Sequence, residues 1–218
     1  MSRMFTKYGR DISMAVKSGG PSPEANSRLR AIIQSARADN MPKDNIERAI
    51  KNASDKSSAD FKEMVYEGYG PHGVAILVET ATDNSTRTVA NVRSIFNRNG
   101  GSLGTSGSVD FMFERKCRFR IAKPDLDLEE LEFEMIDAGG EEVFEDEDGS
   151  VLIYGDFAAF GTVQKFIEEK GFQLISADFE RIPTDTKELT EEQQEEIHKI
   201  VEKFEEDDDV QNVYTTMK

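Results

Sequence analysis

The chain has 218 residues, 37% of them hydrophobic, which gives room for one large or two to three small domains with packed cores. No apolar run reaches the roughly 20 residues a membrane helix needs, and the opening MSRMFTKYGR lacks the apolar centre of a signal peptide, so a cytoplasmic protein with no membrane partner is expected. The net charge of -16 argues at first against nucleic acid; a single cysteine, Cys117, excludes an internal disulfide and multi-cysteine metal sites, and two histidines, His72 and His198, leave little for zinc or serine-histidine chemistry.

Residues 3 to 53 read as three short amphipathic helices. The first carries Phe5, Tyr8, Ile12 and Ala15 or Val16 at helical spacing and stops at Gly19-Gly20-Pro21. The second has Ala25, Leu29, Ile32, Ile33 and Ala36 as its apolar stripe. The third opens at Pro42 and turns Ile46, Ala49, Ile50 and Ala53 inward. Together they predict a small helical bundle. Its expected exposed cations are Lys7, Arg10, Lys17, Arg28, Arg30, Arg37, Lys43, Arg48 and Lys51. One reading is a solvated surface with helical pairs such as Asp44 to Arg48 and Glu47 to Lys51; the other is a contact surface for polyanion.

After a polar, serine-rich linker at residues 54 to 62 comes the stretch from Tyr66 to Arg115, which reads as strand, helix, glycine-rich loop, strand. Gly68 to Gly73 spells GxGxxG. A dinucleotide site needs that pattern to follow a strand and open a helix, whereas here it precedes the strand VAILVE, so a turn is expected and no cofactor. The next helix is capped by Asp83, Asn84 or Ser85 and stopped by Asn99-Gly100-Gly101. At 100° per residue Arg87, Asn91, Ser94 and Arg98 share one outward face, opposite Val89, Val92 and Phe96. No acid occurs from Asn84 to Val109, so Arg87, Arg93 and Arg98 are expected to lack a local counter-ion, which suits a phosphate-bearing partner. The loop SLGTSGS that follows could offer backbone N–H groups to a phosphate, but it has no P-loop lysine and, taken alone, reads as a flexible connection.

Residues 109 to 121 alternate, with Val109, Phe111, Phe113, Cys117, Phe119 and Ile121 to one side and Arg118 and Arg120 to the other; Cys117 is a core position. From Cys117 to Ile182 the order is strand, helix, strand, strand, helix, strand, with a hairpin at Asp148-Gly149. That is the ferredoxin-like split βαβ unit. A calcium loop with Gly149 at its sixth position would place Phe144 and Gly155 where ligands are required, so it fails, and no metal site is expected. The last helix opens on a Thr190/Gln193 capping box. The five acids Glu205 to Asp209 behind it could in principle hold magnesium, but no geometry forces them to converge, and they read as a solvated turn before a strand at Val210 to Thr216. Docking this final helix and strand on the middle region completes its sheet. The expected domains are therefore 1–60, a discontinuous 61–121 with 184–218, and an inserted 122–183.

Charge is segregated along the chain. Residues 1 to 60 hold 11 Lys+Arg against 7 Asp+Glu, residues 61 to 120 hold 8 against 6, and residues 121 to 218 hold 8 against 30. A basic half joined to an acidic half points to nucleic-acid contact.

The blocks NMPKDNIERAI (40 to 50), YEGYGP (66 to 71), GVAILVE (73 to 79), TDNSTRTVANVR (82 to 93), NGGSLGTSGSVDFMFERK (99 to 116) and DDDVQNVYT (207 to 215) resemble the YebC/PmpR family over nearly the whole chain. The resemblance implies an α+β fold in a three-domain crescent: a helical N-terminal domain and two α/β domains, the third inserted in the second. It implies DNA-binding transcriptional regulators, with mitochondrial relatives as translational activators and bacterial ones linked to relief of ribosome stalling, and no enzymatic activity. Family members usually open about twenty residues earlier with a basic arm, which would serve phosphate contact. The expected partner is promoter DNA or ribosomal RNA, with the ribosome as one target. The contact residues would be Lys7, Arg10, Arg28, Arg30, Arg37, Lys43, Arg48, Lys51, Arg87, Asn91, Arg93, Ser94 and Arg98. The alternative is a small-molecule sensor with its ligand in the cleft between the two α/β domains.

Overall fold

The structure, a computed structural model, describes residues 3–218. By its internal contacts the chain forms two compact units. One comprises residues 3–10, 59–114 and 181–218; the other comprises residues 11–58 and 115–180.

The first unit is built on a four-stranded sheet in the order β3-β1-β2-β8, from β1 (Lys62–Tyr69), β2 (Ala75–Thr82), β3 (Ser102–Leu103) and β8 (Val210–Thr215). All three pairings are antiparallel. Two helices, α4 (Ser85–Arg98) and α7 (Glu191–Glu205), cover one face, where Ile76 and Val78 pack with Val92, Phe96, Ile197, Ile200 and Phe204. The Phe96 and Phe204 rings meet edge to face at 4.9 Å between centroids. On the other face Ala75 and Leu77 pack against Val109 and Phe113. Burial on both sides is why VAILVE is an unbroken apolar run rather than an alternating one.

Strand β1 escapes the pattern reading, which assigns no strand to residues 62–65. Its burial does not alternate: residues 62–65 are all exposed, apolar Met64 and Val65 among them, and Tyr66, Glu67 and Gly68 are buried in succession, so no period of two marks it as a strand. The GxGxxG segment ends β1 and forms a 3-10 turn, Pro71–Gly73, that leads into β2 rather than into a helix. Residues 110–112 also form a 3-10 turn, and this breaks the expected alternation. Val109 and Phe113 stay buried, but Phe111, expected on their side, is 71% exposed.

The second unit contains a sheet in the order β5-β6-β4-β7, from β4 (Phe113–Ile121), β5 (Gly140–Glu145), β6 (Val151–Asp156) and β7 (Leu174–Pro183), with α5 (Leu128–Ile136) and α6 (Phe160–Glu169) between strands. This is the βαββαβ order expected from the sequence, and Cys117, Phe119, Ile121, Leu131, Met135, Ile153, Val163 and Ile167 form its core. The same unit holds most of α1 (Arg3–Gly19), together with α2 (Ser27–Ala38) and α3 (Lys43–Ser54). Asn26 ties two of these helices: its Oδ1 accepts from the Leu29 amide at 3.0 Å, capping α2, and its Nδ2 donates to the Ala15 carbonyl of α1 at 2.8 Å. Ala25 therefore lies outside the helix and is exposed, against the expectation that it joins the apolar stripe. Along α3 the ion pair is Lys43 with Glu47 at 3.5 Å, and Arg48 donates to Asn45 at 3.4 Å; these replace the expected Asp44–Arg48 and Glu47–Lys51 pairs.

Candidate nucleic-acid interface

The helix expected to present the cationic face is α4. Asn84 caps it, its Oδ1 accepting from the Arg87 amide at 3.0 Å, and Asn99 followed by Gly100 at φ +73° ends it. Thr88, Val92 and Phe96 are its buried side. The helix sits close to β1 because Gly68 has no side chain: a Cβ there would run into the Ser102 carbonyl oxygen and the Phe96 ring. The opposite side of α4 exposes Arg87, Asn91, Arg93 and Arg98, with Ser94 half-buried.

Arg87 does not lack a counter-ion, and this corrects the expectation from the acid-free stretch. Its Nη2 lies 3.0 Å from Asp83, one turn back on the N-terminal side, and 2.8 Å from Asp209, 122 residues away. Asp209 is 2% exposed and accepts four donors' hydrogen bonds: from the Arg87 guanidinium, from Arg10 Nη1 at 2.7 Å, from the Thr88 hydroxyl at 2.8 Å and from the Thr82 hydroxyl at 3.4 Å. Burial raises the pKa of the Asp209 carboxyl, and the Arg10, Arg87 and Thr88 hydrogen bonds outweigh it, so the carboxyl is held below the usual carboxylate range. Arg10 also donates to the Ala81 carbonyl and lies 4.9 Å over the Phe61 ring. Asp207 is drawn in as well. One oxygen accepts from the Asp209 amide at 2.9 Å and the other from Asn91 Nδ2 at 2.9 Å. The acidic run is thus not a solvated turn throughout: its last member is the buried centre of an ion network. Around this network is a shallow cleft of roughly 370 Å³, lined by Arg10, Arg87, Asn91 and Glu206 to Asp209.

The structure therefore divides the expected contact residues. Arg10, Arg87 and Asn91 converge on Asp207 and Asp209. Arg28, half-buried, lies over the Phe179 ring at 4.6 Å, and Arg30 forms a two-pronged pair with Glu168 at 2.7 and 3.1 Å; neither is the free surface cation expected. Lys7 is half-buried and its carbonyl accepts from Gln211. Lys43 and Arg48 are exposed with the local partners named above. Arg37, Lys51, Arg93 and Arg98 are exposed and have no ion-pair partner among the described residues.

The loop after β3 is anchored rather than flexible. Glu67 of β1 is 4% exposed and its carboxylate accepts from the Gly107, Val109 and Asp110 amides at 2.7, 2.8 and 2.7 Å. Burial pushes this carboxyl up, while the three amides and Arg181 outweigh it and lower its pKa. Those amides are thus occupied by a protein carboxylate instead of being offered to a phosphate. Asp207, Asp209 and Glu67 are the residues missed from sequence. Their signal is slight: a carboxylate following an apolar residue in β1, and an acidic run whose last member directly precedes an inward β8. In the second unit, Cys117 is fully buried, as its pattern position implies, and burial pushes its thiol up to about 11. Among the described residues no three or more His, Cys, Asp or Glu are arranged to hold a metal ion, and no helix is long and apolar enough to cross a membrane.

These elements define a mixed α+β protein with two four-stranded sheets and exposed cations carried on helices. Residues 1–56 match the TACO1/YebC protein N-terminal domain and residues 61–217 match the TACO1/YebC second and third domain. The chain belongs to the TACO1/YebC family. It is 63% identical to a probable transcriptional regulatory protein of Flavobacterium johnsoniae, over 100% of this chain and 92% of that one. It is 58% identical to a protein of the same name from Porphyromonas gingivalis, over 100% and 90%. The crystal structure of a conserved hypothetical protein, Aq1575, from Aquifex aeolicus superposes with a TM-score of 0.83 at 38% identity, covering 99% of this chain and 89% of that one.

Proposed function

We propose that this protein is a non-enzymatic regulator of gene expression that binds nucleic acid. The observation that carries the reading is on α4, where Arg93 and Arg98 stand exposed without ion-pair partners among the described residues, on a helix that contains no acid. The relatives named probable transcriptional regulatory proteins support the same conclusion. Arg93 and Arg98 contact phosphates, with Ser94 beside them as a hydrogen-bonding group. Arg37, Lys43, Arg48 and Lys51, on α2 and α3, are a second set of exposed cations for the same polymer. Arg10, Arg87 and Asn91 act one step removed, by fixing α4 through Asp207 and Asp209.

The test pairs co-sedimentation with ribosomes from a lysate and capture on genomic DNA, each with wild type and Arg93→Glu/Arg98→Glu. The variant is expected to lose whichever polymer the wild type retains, with an unchanged Tm, because both side chains are solvated. Retention in both arms equal to wild type would refute these two arginines as the contact. Arg87→Glu is a poor probe, since it places a second carboxylate against buried Asp209.

A further inference from the structure

The outer face of α5 pairs two large apolar side chains with a strong negative charge, and nothing in the nucleic-acid reading uses it. Phe133 is 77% exposed and Ile136 is 59% exposed. The helix buries Leu131 and Met135 completely. At about 100° per residue, Phe133 falls opposite that buried pair, and Ile136 lies within about 60° of it on the same outer face. Glu129, Glu130 and Asp137 stand three or four positions from Phe133, and Glu132 four from Ile136, so exposed carboxylates ring the apolar pair. From Asp125 to Asp137 the sequence holds seven acids and no base. Of the nearby cations, Lys170 is paired with Glu134 at 2.6 Å and Lys123 with Glu145 at 2.6 Å. Glu129, Glu130, Glu132 and Asp137 have no ion pair among the described residues.

We infer that this face of α5 is a docking surface for a basic, amphipathic segment of another protein, one whose apolar side chains cover Phe133 and Ile136 while its lysines or arginines meet the surrounding carboxylates. The charge selects the partner. A nucleic acid would face the acids of α5 directly, and a second copy of the same face would bring like charges together around the apolar centre. A cationic segment with apolar side chains satisfies both features, whereas a purely cationic one leaves Phe133 and Ile136 exposed to water.

The experiment uses the full chain and fluorescence anisotropy with a labelled lysine–leucine amphipathic peptide, alongside lysine homopolymer. Phe133→Ser/Ile136→Ser is expected to weaken peptide binding about tenfold or more with Tm unchanged, since both side chains are solvated. Glu129→Gln/Glu130→Gln is expected to weaken it and to flatten its salt dependence. Equal affinity of wild type and the Ser double variant, or equal affinity for peptide and homopolymer, would overturn the proposal. So would a wild-type dimer in sedimentation velocity that the Ser double variant abolishes, because the face would then be covered by a second copy.

Discussion

Asp209 carries more of the first unit's organisation than its place in an acidic run suggests. It joins α1 through Arg10, the start of α4 through Arg87 and Thr88, and the end of β2 through Thr82. Removing it leaves Arg10, whose side chain is 13% exposed, without its carboxylate. Asp209→Ala is therefore expected to cost about 3–5 kcal/mol, read as loss of stability in urea unfolding. Arg87→Ala should cost clearly less than Asp209→Ala in the same urea unfolding, because the Arg87 side chain is 46% exposed and Arg10 still serves Asp209. Because the folded-state pKa of Asp209 is lowered, its contribution is present above the unfolded carboxylate value of about 3.9 and is lost as pH falls through the lower folded value. The Tm of Asp209→Asn should accordingly fall less steeply than that of wild type below about pH 4. Cys117 offers a residue-scale check on the other unit. With its thiol buried and raised to about 11, labelling by a thiol reagent at neutral pH should occur only on unfolding, and fast labelling of the native protein would contradict the packing of β4.

At the scale of elements, α4 is positioned by what surrounds it and the following loop by a single carboxylate. Glu67→Ala should cost about 2–4 kcal/mol and release the loop, read as faster hydrogen exchange at the Gly107, Val109 and Asp110 amides. Unchanged protection at those amides would mean the loop holds itself. Elements with one dominant signal were legible in sequence: the three N-terminal helices, α4, the βαββαβ order and the capping box of α7 all follow from periodicity and caps. Residues whose role depends on distant partners were not. Arg87 looks unpaired because its second counter-ion lies 122 positions away, Arg28 and Arg30 look like surface cations because Phe179 and Glu168 approach them only in the folded chain, and β1 hides behind a buried glutamate. Pattern reading assumes that charges face water, and it fails where a charge is the buried group.

For the whole molecule, the net charge of -16 conceals a basic sequence to residue 120 and an acidic one beyond it. An anionic polymer approaching such a protein is attracted only where cations are exposed and unpaired, so binding should be confined to the exposed arginines and lysines of α2, α3 and α4 and be sensitive to salt. The acidic face of α5 is left for a partner of the opposite sign. Contact of the exposed α4 arginines with phosphate is tested by the salt dependence of binding to the retained nucleic acid, compared between wild type and Arg93→Ala/Arg98→Ala. The double variant should bind more weakly, with a slope of log K against log salt shallower by about 2, one for each lost phosphate contact. An unchanged affinity with an unchanged slope would contradict that contact.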